Sequence, residues 1–290
     1  MYLTEQFETD PSIARLFRRW SAAAAVLCVF IAAIVLSGWL FDLAALKGVL
    51  PGMAQMKVNT AFGFLLSGAA LWLMRKDANG SWASTTGLLL AAVVTLLGLL
   101  TLLEHIVGWD LHIDNGLIPE SSQTSDTLYP GRMSQATAFN FFFFGIALTL
   151  LSVKSRRAAA ITQLLVLVPL TVTTTALVGS VYNLYGLYAV KPFASMAPLT
   201  VAPSLIVALG ILGARPQSGW VGLLSSAAVG GAFARRLLPM VVALLPLLGW
   251  AIAAGERAGH FGPEFHVNLL VIGSMLTMSV LIWWSARHIN

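Results

Sequence analysis

Eight apolar runs, each close to the length of a membrane crossing, dominate this sequence. They fall near 20–41, 58–74, 83–105, 134–153, 159–181, 199–213, 236–255 and 266–286. A hydrocarbon core of about 30 Å takes about 20 helical residues at a rise of 1.5 Å each. Leu, Ala, Phe and Gly fill the runs without the alternation of a barrel strand. Helix is therefore the expected form, since it pairs every backbone N–H and C=O within the segment. Composition agrees: 58% of residues are hydrophobic and 10% charged, against about 25% charged in a soluble domain. So little charge cannot cover a soluble surface, and so much apolar content excludes disorder. With Cys28 as the single cysteine, a disulfide scaffold is excluded as well. The first run lacks a small-residue cleavage site and outlasts a signal peptide, so it is expected to stay as a span.

The distribution of Lys and Arg predicts an orientation. With the N-terminus inside, the inner side holds Arg15, Arg18, Arg19, Arg75, Lys76, Lys154, Arg156, Arg157, Arg215, Arg235, Arg236 and Arg287. Lys47, Lys57, Arg132, Lys191 and Arg257 lie outside. Twelve of the 17 basic residues thus mark the cytoplasm. Trp20, Trp72, Trp82, Trp283 and Trp284 would sit at the inner boundary and Trp39, Trp109 and Trp250 at the outer, as aromatic belts require. The net charge of +5 is mostly this topology signal, and with no basic face on a soluble domain it implies no nucleic acid. The expected fold is an all-α integral membrane bundle of eight transmembrane helices with both termini cytoplasmic. Residues 1–19 form a cytoplasmic segment, 20–286 the membrane domain, and 287–290 the start of an output helix.

Three spans running from outside to inside begin alike. Met56-Lys57-Val58-Asn59-Thr60-Ala61, Met133-Ser134-Gln135-Ala136-Thr137-Ala138 and Met196-Ala197-Pro198-Leu199-Thr200-Val201 each place Met four residues before Thr. A Pro precedes each (Pro51, Pro130, Pro192). Gly68 and Gly145 follow their Thr by eight residues, and Ala208 takes that place in the third copy. The pattern predicts three parallel helical-hairpin repeats plus a final hairpin. Helix mechanics accounts for much of it: first-turn Thr or Asn satisfies backbone N–H groups, and small residues let helices approach. A functional reading adds that three helix N-termini meet in the outer half, with the amides of Asn59 and Asn140 at membrane depth, where unpaired polar groups are costly. That reading expects a polar cavity open to the outside.

The acids gather outside too. Glu104 ends the third span, and the long connection after it carries Asp110 and Asp114; Glu256 and Glu264 belong to the last hairpin. Glu104 at the lipid boundary calls for a cavity or for a loop Lys or Arg as partner. His105, His112, His260 and His266 are also external. They invite a haem or metal, with His105, His260 and His266 as candidate ligands. No span carries paired histidines, however, and no Cys/His cluster exists. Tyr182 and Tyr185 are interface anchors or part of an aromatic wall for a quinone-like ligand. Nucleophile elbows, P-loops and zinc-protease helices are absent. The chain ends at Asn290 without a Gly or Pro stop, which predicts continuation into an output helix.

The runs MKVNTAFGFLLSGAALWL, LLTLLEHIVGWDLHID, PGRMSQATAFNFFFFGIAL, MAPLTVAPSLIVALGILGARP, ARRLLP, GERAG and LIWWSARHIN together resemble a bacterial membrane sensor region. That region is found at the N-terminus of hybrid sensor histidine kinases and of PAS-GGDEF diguanylate cyclases. The resemblance spans roughly 20–290. It implies a signal-input module of the bacterial inner membrane, without catalytic residues of its own, acting as a homodimer on a kinase, PAS or GGDEF domain in the same parent chain. By position it points to Met56, Asn59, Thr60, Met133, Thr137, Met196 and Thr200, and to Glu104, Asp110, Asp114 and Glu256, as the signal-binding half. His105 stands where the family commonly has an aromatic, and His112 where it has a small residue, so the resemblance gives neither a ligand role. A membrane protein holding haem or quinone, and then a small-molecule permease, are the alternative classes.

Overall fold

A computed structural model describes residues 9–48, 54–75, 81–114, 131–182 and 196–287. The chain is all-helical. Its elements are α1 (Pro11–Leu40), α2 (Ala44–Lys47), α3 (Val58–Met74), α4 (Ser81–Val107), α5 (Gln135–Leu150), α6 (Arg156–Tyr182), α7 (Pro198–Ala214), α8 (Gly219–Leu224), α9 (Val229–Arg257) and α10 (Pro263–Arg287). Among the described residues the only β pairing is an isolated bridge between Thr9 and Ser226. Five helices are long and apolar enough to cross a membrane: α1, α4, α6, α9 and α10. The other three apolar helices, α3, α5 and α7, are shorter, at 16–17 residues. At 1.5 Å per residue they span about 25 Å.

Residues 12–221 form one compact unit. Its short helices α3, α5 and α7 all touch one another, α4 packs against α3 and α5, and α6 against α5 and α7. Small residues set these approaches. A Cβ on Gly68 would lie 2.8 Å from the Ala25 carbonyl oxygen of α1, and one on Gly145 would lie 2.8 Å from that of Ala91 on α4. Gly98 of α4 faces the α5 backbone at Ala138 and Phe142. The core at this level is Phe64 and Phe141, edge to face at 4.8 Å, with Phe144, Leu71 and Leu148 fully buried around them. Aromatic pairs of this geometry add to simple burial. At the opposite end from Glu104, the guanidinium of Arg215 donates to the carbonyls of Val153 (2.6 Å) and Leu151, and Gln163 donates to Ser218 O at 2.7 Å. The Arg215 bonds tie the turn after α5 to the end of α7, and the Gln163 bond ties α6 to the start of α8. Partial burial holds the Arg215 guanidinium below its usual pKa.

A second unit comprises residues 222–287 with 9–11. In it α9 and α10 form an antiparallel hairpin. His266 and Glu256 meet at one end, 2.5 Å apart, and Arg236 lies over the Trp284 ring at the other, 4.4 Å from its centroid. Between them Gly273 admits Leu248. Pro239 and Pro246 fall inside α9, where each removes one i→i−4 bond. Most of the apolar surface of this hairpin is exposed.

The helices differ from the apolar runs at two boundaries. α1 begins at Pro11, so the segment expected over 1–19 is helical from there on. α9 begins at Val229, about two turns before the apolar run expected near 236–255. Hydropathy misses both because the turns carry Arg15, Arg18 and Arg19, or Arg235 and Arg236, and charge lowers the apolar signal without breaking the helix.

Candidate functional site

The described residues 108–114, which follow α4, fold back onto the ends of three helices. Gly108 leaves α4 with φ at +77°, a conformation glycine adopts freely, and residues 109–114 then run across the site. Glu104, on the last turn of α4, accepts from the Leu111 backbone N–H at 2.8 Å. Asp114 accepts from Asn59 Nδ2 of α3 at 3.1 Å through one oxygen and from Arg132 Nε at 2.7 Å through the other. Arg132, just before α5, also reaches Glu104 Oε1 at 3.3 Å and Asp110 Oδ1 at 3.5 Å with its Nη2. One guanidinium therefore faces three carboxylates from the connection and α4.

Burial makes this network consequential. Glu104 is 1% exposed, Asp114 6% and Arg132 5%, while Asp110 is half exposed at its side chain. Separating a buried ion pair by removing one partner leaves an uncompensated charge, which costs far more than a surface pair contributes. Charge-assisted hydrogen bonds hold the geometry. Glu104 Oε2 is buried and has no hydrogen-bond partner among the described residues. The carboxylates of Glu104, Asp110 and Asp114 offer oxygens within 4.8 Å of one another, a spacing suited to a hard cation. Arg132 already lies against all three, which makes an ion pair the simpler chemistry of this cluster.

Around it the three Met-x-x-x-Thr segments are buried. Met56, Met133 and Met196 are at most 5% exposed, and Thr60, Thr137 and Thr200 are each 2% exposed. Two of the three methionine carbonyls have side-chain donors. Trp39 Nε1, at the end of α1, donates to Met56 O at 2.9 Å, and His105 Nε2, at the end of α4, lies 3.0 Å from Met133 O. Since a carbonyl only accepts, His105 carries its proton on Nε2 in this contact. Trp39 follows Ala25 by 14 residues and His105 follows Ala91 by 14, the two residues whose carbonyls face Gly68 and Gly145. An N–H donor therefore occupies the same place on two long helices. The first-turn Thr or Asn does not cap as expected: at α5 it is Ser134 whose Oγ accepts from Thr137 N at 3.3 Å and pairs with the Thr137 hydroxyl at 2.9 Å. α3 and α7 start without a side-chain cap.

Near Met56, Lys47 is buried against the Trp39 ring, 4.5 Å from its centroid, and donates to Asp42 at 2.5 Å. That hydrogen bond, and then the ammonium charge, hold the Asp42 carboxyl below its ordinary range. Met56 N donates to Lys47 O at 2.8 Å, which fixes the extended approach to α3.

The predicted residues thus divide. Asn59, Glu104, Asp110 and Asp114 come together, with Met133 at their edge through Arg132 and His105. Asn140 lies a turn deeper and donates to Thr173 of α6 at 2.9 Å, while its carbonyl oxygen is buried without a partner among the described residues. Asn59 and Asn140 therefore meet protein groups where a cavity was expected. Glu256 belongs to the α9–α10 hairpin, paired with His266, and His260 is exposed. Among the described residues the histidines join no metal-spaced group. Tyr182 ends α6, and Tyr185 lies outside the described residues. The loop Lys or Arg expected as one possible partner of Glu104 is Arg132, but sequence reasoning did not single it out as the hub, having counted it only as an outer-side charge. The available signal was three acids, one of them at the lipid boundary, with a single arginine directly before a repeat.

No protein-family model, no curated protein and no solved structure matches this chain.

Proposed function

We propose that the chain is a sensory input module of the bacterial inner membrane, with eight spans, both termini cytoplasmic and three hairpin repeats ahead of a final hairpin. The observation that carries this reading is the Arg132 hub, which ties the connection at 109–114 to α3, α4 and the start of α5. A ligand that competes for Arg132 or for Glu104 Oε2 changes what holds those three helix ends together. Two arrangements with different ligand affinity are what a sensor requires. The repeat reading is supported by Trp39 and His105, and by Gly68 and Gly145, which make the same contacts one copy apart. Orientation rests on the twelve inner basic residues, and eight spans on counting α3, α5 and α7 with the five long helices. The signal passes along α10, in a homodimer, to a cytoplasmic kinase or cyclase domain of the parent protein; here the support is the sequence resemblance and the exposed apolar surface of α10.

The test is to place the chain ahead of a histidine-kinase output and read basal autophosphorylation in membranes. Arg132→Met, Glu104→Gln and Asn59→Leu are each expected to shift it per molecule of protein in the membrane. Output identical to the parent in all three sinks the reading.

A further inference from the structure

At the end of residues 12–221 opposite Glu104, four arginines line an open cleft of about 330 Å³, bordered by Arg15, Arg18, Arg19, Ala22 and Arg75. Residues 15, 18, 19 and 22 follow i, i+3, i+4, i+7 spacing, so they share one face of α1. Arg75 comes from the end of α3. A physical cost attends this arrangement. Like charges three and four residues apart on α1 repel, and Arg75 brings a fourth guanidinium to them from a second helix. The first turn of α1 carries no acid to offset them. Among the described residues no carboxylate lies within 4.0 Å of Arg15, Arg18 or Arg19. A topology signal accounts for basic residues on this side of a membrane. It does not account for their convergence from two helices on one cleft.

The neighbours say what kind of anion belongs there. Arg75 is stacked on Trp72, 3.6 Å from ring centroid to guanidinium, and its Nε donates to Trp72 O at 3.2 Å, so its planar fork is already oriented. Trp20, Trp72 and Trp82 are all exposed at this end, the depth at which tryptophans meet lipid headgroups. Guanidinium forks match phosphate oxygens in two-point hydrogen bonds. We propose that the Arg15–Arg18–Arg19–Arg75 cleft binds the phosphate of an acidic phospholipid in the adjoining leaflet. The bound phosphodiester offsets the repulsion among the arginines and locks the start of α1 to the end of α3.

The proposal is tested with the full chain in neutral detergent, by native mass spectrometry with phosphatidylglycerol or phosphatidylcholine added in equal amounts. The expected result is several-fold greater retention of phosphatidylglycerol, falling as salt is raised. Arg18→Gln/Arg75→Gln is expected to level the two lipids. Arg156→Gln/Arg157→Gln, at the same end but outside the cleft, keeps the preference, and circular dichroism of both variants confirms their helices. Equal retention of the two lipids by the parent overturns the proposal, as does an equal loss in both variants. A third arm adds inorganic phosphate alone. If phosphate raises the melting temperature of the delipidated chain as much as phosphatidylglycerol does, the site takes a soluble anion and the lipid assignment fails.

Discussion

Arg132 Nε lies 2.7 Å from Asp114 Oδ2, and both side chains are almost wholly buried. The same guanidinium faces Glu104, so removing it strands two buried carboxylates. Arg132→Met is expected to cost about 3–5 kcal/mol, the range for breaking a buried pair from one side. Reversible unfolding in mixed detergent measures it. Adding Glu104→Gln and Asp114→Asn to that variant is expected to recover most of the loss; no recovery means the loss comes from packing instead.

Gly145 and Gly68 make the second prediction. A Cβ at Gly145 would collide with Thr95 Oγ1 and lie 2.5 Å from the Thr95 backbone N. Gly145→Ala is expected to destabilise by about 1–3 kcal/mol, as overpacking does, and Gly68→Ala, facing the backbone of α1, by a similar amount. Unfolding midpoints unchanged by both substitutions contradict so close an approach of the helices.

Trp39 and His105 play one role in two places, so equal treatment should give equal results. Trp39→Phe and His105→Phe each remove an N–H from a methionine carbonyl, at about 0.5–1.5 kcal/mol. A loss at one site and none at the other breaks the equivalence. His105, His260 and His266 join no metal-spaced group among the described residues, so the purified protein is expected to lack a Soret band. A band abolished by His105→Phe would restore the haem alternative.

The Asp42–Lys47 pair sets a pH dependence of known sign. Its carboxyl is held below the unfolded value, so its stabilisation is complete above an unfolded pKa of about 4 and fades as pH falls through the folded one. Asp42 has φ at +54°, which Asn tolerates. The gap in melting temperature between parent and Asp42→Asn should be small and constant from neutral pH to about 5, then close in more acid buffer. A gap that widens with acid reverses the sign and refutes the assignment.

Helices were legible wherever apolar residues ran unbroken, and the run at 58–74 coincides with α3. They were illegible at Pro11–Arg19 and Val229–Arg236, because charge hides a helical turn from hydropathy. Glu104, Asp110, Asp114 and Asn59 were legible as a group: polar residues near lipid must find company. Their partner was not. Arg132 is 18 residues from Asp114 and 28 from Glu104, and nothing in local spacing says which of several basic residues a connection will bring home. Asn140 was seen as a cost without its remedy, since Thr173 sits in a threonine-rich stretch of α6 where other hydroxyls bond their own helix carbonyls.

α3, α5 and α7 are each shorter than the long helices around them, and more than half of the residues in each are buried. What touches them is chiefly protein, so their length is matched to neighbouring helices and not to the bilayer. Their stability therefore depends on helices made later as well as on those made earlier: α3 packs chiefly on α4, which follows it in the chain, and α7 on α6, which precedes it.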